Sequence, residues 1–437
     1  MKSLLFSTSS KKPRAPDSPW EDDAVLLDRD DVSDFNEENI LPVSPETQAN
    51  IRKWLQPTGY NDEGGEFKKH LSSHLDNTGN WLLDAPAYRE WHSAKDIGIL
   101  WIKGMFPQSE LKWRIDSIVI GIPGSGKSVV AATLVNRLKN EEVPVLYFFF
   151  RQIIDANHVP QAALRDWLDQ ILEYSPPLQA KLAQYLKESR SLESISAPDF
   201  WTLVRTAVLY LPRAYCVVDA LDEIDYGQDM LDFLEGLTKL GMWRPAQIKI
   251  VITSRPVPSV EVPLRHAQTL NLRLEEKMVD LDIATFVQHM IKTSSIEEKY
   301  HESIRKAVPG RANGLFLYAK LAMDAFLEPG ADPHQVLKEL PTDLNVMYDD
   351  LLREHTRRTG ISHDLQLLIM QSVTHASRPL RLLELSDMID VTQFSDSERD
   401  LKKAKGLVRT ACGPLLEILP DGKQAFNTGV IYETYID

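Results

Sequence analysis

Cysteine is nearly missing from this 437-residue chain: Cys216 and Cys412 are the only two, far apart and in unrelated contexts. Two isolated thiols build neither a disulfide framework nor a zinc-binding spacing, which excludes the small cross-linked secreted class and points to a reducing compartment. Long apolar runs are lacking too, and nothing in the sequence approaches the length needed to span a bilayer. In the opening "MKSLLFSTSSKK", the apolar stretch Leu4, Leu5 and Phe6 is too short for a signal-peptide core. Positive charge is also short: 49 Lys and Arg against 63 Asp and Glu leave a formal charge of -14. Contacts to a phosphate backbone need clustered Lys and Arg, so no nucleic-acid partner is expected. The expectation is a soluble, cytoplasmic protein with no membrane partner.

Acid is concentrated near the start. "DSPWEDDAVLLDRDDVSDFNEEN" has too few apolar groups to offset chain entropy, which predicts a disordered acidic leader over residues 1–43. Its alternative role is a tail for protein partners. A helical N-terminal segment is expected over 44–96. There "SPETQANIRKWL" offers Ser44 as a cap and Ile51, Trp54 and Leu55 as an apolar face. A second helix is expected over 66–75. Its His70 and His74 stand four apart, the spacing of a helical metal pair, but no third ligand accompanies them, and an amphipathic surface is the preferred reading.

From about residue 115, short β-rich runs alternate with helical stretches. The runs fall at 117–120, 145–150, 215–219, 248–253 and 269–272, and the helical stretches at 128–140, 161–173, 198–211 and 229–240. Near-continuous apolar strands such as "VLYFFF" and "AYCVVDA" suit a parallel sheet covered on both faces, so the expected fold class is α/β. Beyond about residue 274 the strand signal stops. "DLDIATFVQHMI", "GLFLYAKLAMDAFL" and "DLNVMYDDLLREHTRR" read as helices, followed by further helices and a hairpin around Asp421 and Gly422.

The chemistry centres on "GIPGSGKS", a complete G-x-x-x-x-G-K-S placed between a strand and a helix. Gly121, Gly124 and Gly126 let main-chain amides turn inward around phosphate oxygens, with Ile122, Pro123 and Ser125 completing the loop. The helix that follows presents its positive end to the anion. Lys127 can bridge the β- and γ-phosphates, and the Ser128 hydroxyl can ligate Mg2+. In "YCVVDALDEID", Asp219 ends an apolar strand, where a parallel sheet collects its ligands, and its carboxylate can hold Mg2+. Asp222 and Glu223 follow within a turn, either of them able to orient or deprotonate an attacking water. "IKIVITSRP" ends another strand with Arg255, which can sense a γ-phosphate or simply cap the strand.

The phosphate loop, "VVDALDE" and "ITSRP", in this order, resemble the NACHT branch of the STAND P-loop NTPases. "IRKWLQPTGYNDEGGEFKKHLSSHLDNTGNWLL", "YREWH", "GLFLYAKLAMD" and "THASRPLRLLELSDMI" are similar to the nephrocystin-type members of filamentous fungi. The resemblance covers most of the chain, roughly residues 44–422. It implies a P-loop NACHT domain over 97–275, a helical lid over 276–345 and a winged-helix-like region over 346–437. It further implies an ATP or GTP cofactor with Mg2+, slow hydrolysis, signalling by conformational change, innate-immunity-like roles, and a homo-oligomer in the active state. Lys127 and Ser128 would serve phosphate and metal, Asp219 the Mg2+, Asp222 or Glu223 the water, and Arg255 a sensor role.

Two departures from the family pattern stand out. The sequence ends at Asp437 before any repeat array of the kind that senses stimuli in relatives, so the winged-helix region is expected to be truncated. "AFNTGVIYETYID" also lacks the histidine with which many relatives touch the nucleotide there. Secondly, relatives read "LLWIKGMPGSGKS", whereas here "LWIKGM" is followed by residues 106–122 before "PGSGKS". These residues are expected to be an insertion, with a retained intron as one origin. Their closing "SIVIGI" offers a substitute strand and a substitute first glycine. On that reading "ILWIKG" is displaced to a sheet edge or to the surface. The competing functional readings are a nucleotide-binding scaffold that does not hydrolyse, and a P-loop kinase or nucleic-acid motor.

Overall fold

The computed structural model describes residues 41–104, 124–152, 154, 156–225, 227–266, 268–376, 380–393, 400–412, 416–418 and 424–426. The acidic leader and residues 106–122 lie outside them.

Five parallel strands form one sheet: β1 Ile99–Lys103, β2 Val145–Phe149, β3 Ala214–Asp219, β4 Ile248–Ser254 and β5 Thr269–Arg273, in the spatial order β2-β3-β4-β1-β5. Three of these match the expected runs to within a residue or two, and β5 also appears where the weakest run was read. The first strand is a correction. The slot between β4 and β5 is filled by Ile99–Lys103, in register with Ile250–Ser254 on one side and Thr269–Arg273 on the other. "ILWIK" is therefore neither an edge strand nor a surface segment. Its physical advantage is complete burial: Ile99, Leu100 and Ile102 have no exposed surface and Trp101 keeps 1%. The Trp101 indole N–H also finds a partner, donating to Ser254 Oγ at 2.8 Å. The competing stretch 117–120 lies outside the described residues.

Side chains alternate across the sheet with period two, so each strand feeds two cores. Ile99, Trp101, Leu146, Phe148, Ile250 and Ile252 face one layer, in which helices Pro160–Ile171, Ala197–Val208 and Gln228–Trp243 supply Trp167, Trp201 and Phe233. Leu100, Ile102, Tyr147, Val217 and Val251 face the other, shared with helix Lys127–Leu138. That second core continues without a break into helices Glu276–Thr293, Glu298–Ala312 and Phe316–Leu327, which form the helical lid. It runs on into helices His363–His375, Leu382–Gln393 and Leu401–Cys412, followed by the antiparallel pair β6 Leu416–Ile418 and β7 Gln424–Phe426. Three helices and an antiparallel strand pair make the winged-helix-like end of the chain; Asp421 and Gly422, read as the hairpin turn, lie outside the described residues.

The N-terminal segment is stitched onto the sheet layers. Ser44 caps helix Pro45–Leu55, whose Ile51 and Leu55 are fully buried in the first core. Thr58 then donates its N–H (2.7 Å) and hydroxyl (2.5 Å) to the buried Asp166, and the Tyr60 hydroxyl donates to Asp169 at 2.6 Å. Burial raises the Asp166 pKa to about 6, the Thr58 hydrogen bonds opposing that rise. Among the described residues no helix is long and apolar enough to cross a membrane.

Candidate nucleotide site

All five strands run the same way, so their carboxyl ends open on one edge, and the candidate residues gather there. Helix Lys127–Leu138 begins directly after Gly126, which adopts φ +81, as Gly124 adopts φ +80. L side chains avoid that region, so the two glycines are what allow the loop to turn into the helix. Gly121, Ile122 and Pro123 lie outside the described residues. Gly104, straight after β1, also lies by the loop and donates its N–H to Ser254 O at 3.1 Å. A Cβ there would lie 3.2 Å from Lys127 Nζ, so the lysine passes against the bare backbone of Gly104.

Lys127 is the hub of the edge. Its ammonium reaches Ser125 Oγ at 3.5 Å and lies within electrostatic reach of Asp222, Arg255, Asp219 and Glu223. Burial lowers its pKa, Asp222 being the largest opposing charge. Asp219 keeps 1% of its surface exposed and accepts hydrogen bonds from the Thr253 and Ser128 hydroxyls. Burial nevertheless pushes its pKa up, so the carboxylate sits in surroundings that favour an added positive charge. Thr253 Oγ1 also accepts the Ala220 N–H at 3.1 Å, tying the ends of β3 and β4 together.

Asp222 and Glu223, which sequence left as equals, occupy different surroundings. Asp222 accepts the Arg255 main-chain N–H at 2.9 Å, and its other oxygen lies 3.5 Å from Arg255 Nε. Glu223 instead accepts the Gln152 N–H at 3.2 Å. Burial and then the neighbouring Asp222 raise the Glu223 pKa to about 7, against the opposing pull of Arg151 and Arg255.

Sequence reading missed four contributors. Gly104 was hidden by the second glycine at 121. Gln152 acts through its backbone. Arg151, beyond β2, pairs with Glu66 of the N-terminal segment at 2.8 Å. Leu317, on the lid, donates its N–H to Gly124 O at 3.3 Å. "GEFKKHL" and "GLFLYAKLAMD" stand in the sequence, but neither pattern says which distant element it will meet. The metal pair suggested by His70 and His74 does not form: His70 turns to Glu66 and His74 to Thr78 O. No cluster of three or more metal-ligating side chains of His, Cys, Asp and Glu occurs among the described residues.

A family model described as "Nephrocystin 3, N-terminal" matches residues 112–255. The vegetative incompatibility protein HET-E-1 of Podospora anserina is 25% identical over 359 residues, covering 77% of this chain and 24% of that protein. The chain thus spans about a quarter of that relative's length. Among solved structures, a Walker-type ATPase of Pyrococcus abyssi matches at TM-score 0.37 and 13% identity, covering 85% of this chain and 95% of that one. AMPPCP-bound DnaA from Aquifex aeolicus matches at TM-score 0.33 and 12% identity, covering 78% and 90%.

Proposed function

We propose that this chain belongs to the NACHT branch of the STAND P-loop NTPases, as its similarity to the nephrocystin family model and to HET-E-1 supports, and is a nucleoside-triphosphate-binding signalling switch. It binds ATP or GTP with Mg2+, hydrolyses it slowly, and converts occupancy into conformational change and self-assembly. The observation that carries this reading is the convergence on Lys127 of Asp219, Asp222, Glu223 and Arg255 at the carboxyl edge of the sheet. An ammonium within electrostatic reach of separately held acids, beside a glycine loop opening a helix, is an arrangement for a phosphate chain with its metal.

The residues divide the work. Main-chain amides of Gly124–Lys127 and the start of the helix bind phosphate, and Lys127 neutralises it. Asp219 and Ser128 would hold Mg2+, and their oxygen donors suit a hard cation. When bound, the metal supplies positive charge that offsets the charge building up on the transferred phosphoryl group. Glu223 is the residue to take a proton from water, because a base works best with a pKa near the working pH and its value lies at about 7. Asp222 holds Arg255 at the sheet edge, giving it a positioning role, and Arg255 is placed to answer a γ-phosphate.

Phosphate release and equilibrium binding on the full chain, beside Lys127→Ala and Glu223→Gln variants, test the reading. Lys127→Ala should abolish binding. Glu223→Gln should bind as the unchanged protein does while releasing phosphate roughly 10²–10⁴-fold more slowly. Equal release in all three would leave a non-hydrolysing scaffold, and absence of any purine nucleotide uptake with Mg2+ by calorimetry would remove the nucleotide reading itself.

A further inference from the structure

Helix Glu66–Ser72 belongs to the N-terminal segment, outside the alternation of strands and helices, yet it reaches the nucleotide site. Phe67 anchors it: 4% exposed, its ring lies 4.7 Å from that of Tyr147 and 6.0 Å from that of Phe149, both on β2. The adjacent turn is fastened by the Tyr60 and Asp169 hydrogen bond, so the helix has little freedom to slide.

Two of its polar side chains point to the sheet edge. Glu66, 8% exposed, accepts from Arg151 at 2.8 Å and lies 3.4 Å from His70 Nε2. Burial alone would raise its pKa, but His70, Arg151 and Lys69 bring it down to about 2, so it is a carboxylate at neutral pH. Arg151 in turn bears electrostatically on Glu223. The His70 imidazole sits 5.7 Å from the Phe149 ring, and Phe149 is the register partner of Asp219. His70 is thus packed beside the end of the β2–β3 ladder that carries Asp219. One short helix therefore addresses both acids assigned to the reaction: Asp219 through His70, and Glu223 through Glu66 and Arg151. These are the acids of the metal and the water, and the same helix also packs on helix Lys127–Leu138, Phe67 sharing its core.

We infer that helix Glu66–Ser72 is a further wall of the site, in which His70 and Glu66 are positioning residues for the metal-bearing, γ-phosphate end of a bound nucleoside triphosphate. The inference rests on the nucleotide reading above and deepens it. It makes the N-terminal segment a reader of triphosphate against diphosphate.

The test is equilibrium binding to the full chain of a fluorescent non-hydrolysable triphosphate with Mg2+, the same compound in EDTA, and the corresponding diphosphate. His70→Ala should weaken the Mg2+–triphosphate about tenfold and leave the other two within about twofold, as expected of a group acting around a metal. His70→Gln, which keeps a hydrogen-bonding end, should recover most of the loss. Should His70→Ala fold poorly, Glu66→Gln carries the same expectation of selective loss. Equal weakening of all three ligands, or no change, would overturn the inference while the nucleotide reading stands. Failure of the unchanged protein to bind any of them would overturn both.

Discussion

Ala220 is the residue at which backbone conformation and site chemistry meet. It follows Asp219 with φ +53 and ψ 47, in the left-handed region, and opens the short turn that carries Asp222 and Glu223. A bulkier or β-branched side chain pays more for this conformation. Ala220→Gly should therefore leave thermal stability equal or slightly raised. Ala220→Val should lower it by about 1–2 kcal/mol and disturb Glu223, as read by denaturation and by phosphate release. Glu223 gives a second prediction at this scale. Its pKa is raised to about 7, so the proton leaves only as pH climbs through neutrality. The base form grows in that direction, and turnover should rise between about pH 6 and 8, then level. Because the folded state holds this proton more tightly than the unfolded chain, ionisation also costs stability over the interval from the ordinary carboxylate range up to about 7. A pH profile of single-turnover rates that is flat across neutrality would take the proton-accepting role away from Glu223.

Strands and helices were legible wherever local pattern and tertiary demand agreed. β2, β3 and β4 are apolar runs bounded by turns, and "AYCVVD" announced both the strand and the acid at its end. β1 was misplaced because two runs, Ile99–Lys103 and 117–120, satisfy the same local criteria. What separates them is a long-range matter: Trp101 finds Ser254, and Leu274 donates its N–H to Lys103 O at 3.0 Å. Neither partner can be read from the run itself. With β1 leading into Gly104, and Gly104 lying against Lys127, a glycine other than residue 121 stands ready to begin the loop. Deleting residues 106–122, which joins Met105 to Pro123 and keeps a complete G-x-x-x-x-G-K-S that now starts at Gly104, is thus expected to leave the sheet intact and nucleotide affinity equal or higher. Isothermal titration of the deletion chain checks this, and loss of binding would show that the intervening residues supply part of the cradle. Trp101→Ala should in contrast cost about 3–5 kcal/mol by denaturant unfolding, the usual penalty for emptying a large buried aromatic site.

At the scale of the whole molecule, the second core is continuous from the P-loop helix through the lid to the winged-helix-like end, so the three parts are not independently packed bodies. Periodicity could not have revealed this, since it identifies a buried face but not the face that covers it. Among the described residues, the lid fits closely against the nucleotide loop at Gly124. Leu317 donates its N–H to Gly124 O, and a Cβ on Gly124 would stand 2.8 Å from Leu317 Cβ. Interiors this tightly packed tend to switch between discrete arrangements rather than deform smoothly. A nucleotide that shifts the loop main chain at Gly124 must accordingly either keep Leu317 in place or release the lid. Leu317→Ala thins this contact while leaving every phosphate-binding group untouched, so it should speed nucleotide release about fivefold to tenfold, equivalent to roughly 1–1.4 kcal/mol. Gly124→Ala adds strain at φ +80 to the clash with Leu317, and it should lower both thermal stability and nucleotide affinity. Chase of a prebound fluorescent nucleotide distinguishes the two: release that is unchanged in Leu317→Ala would mean that the lid rests on the loop without governing it.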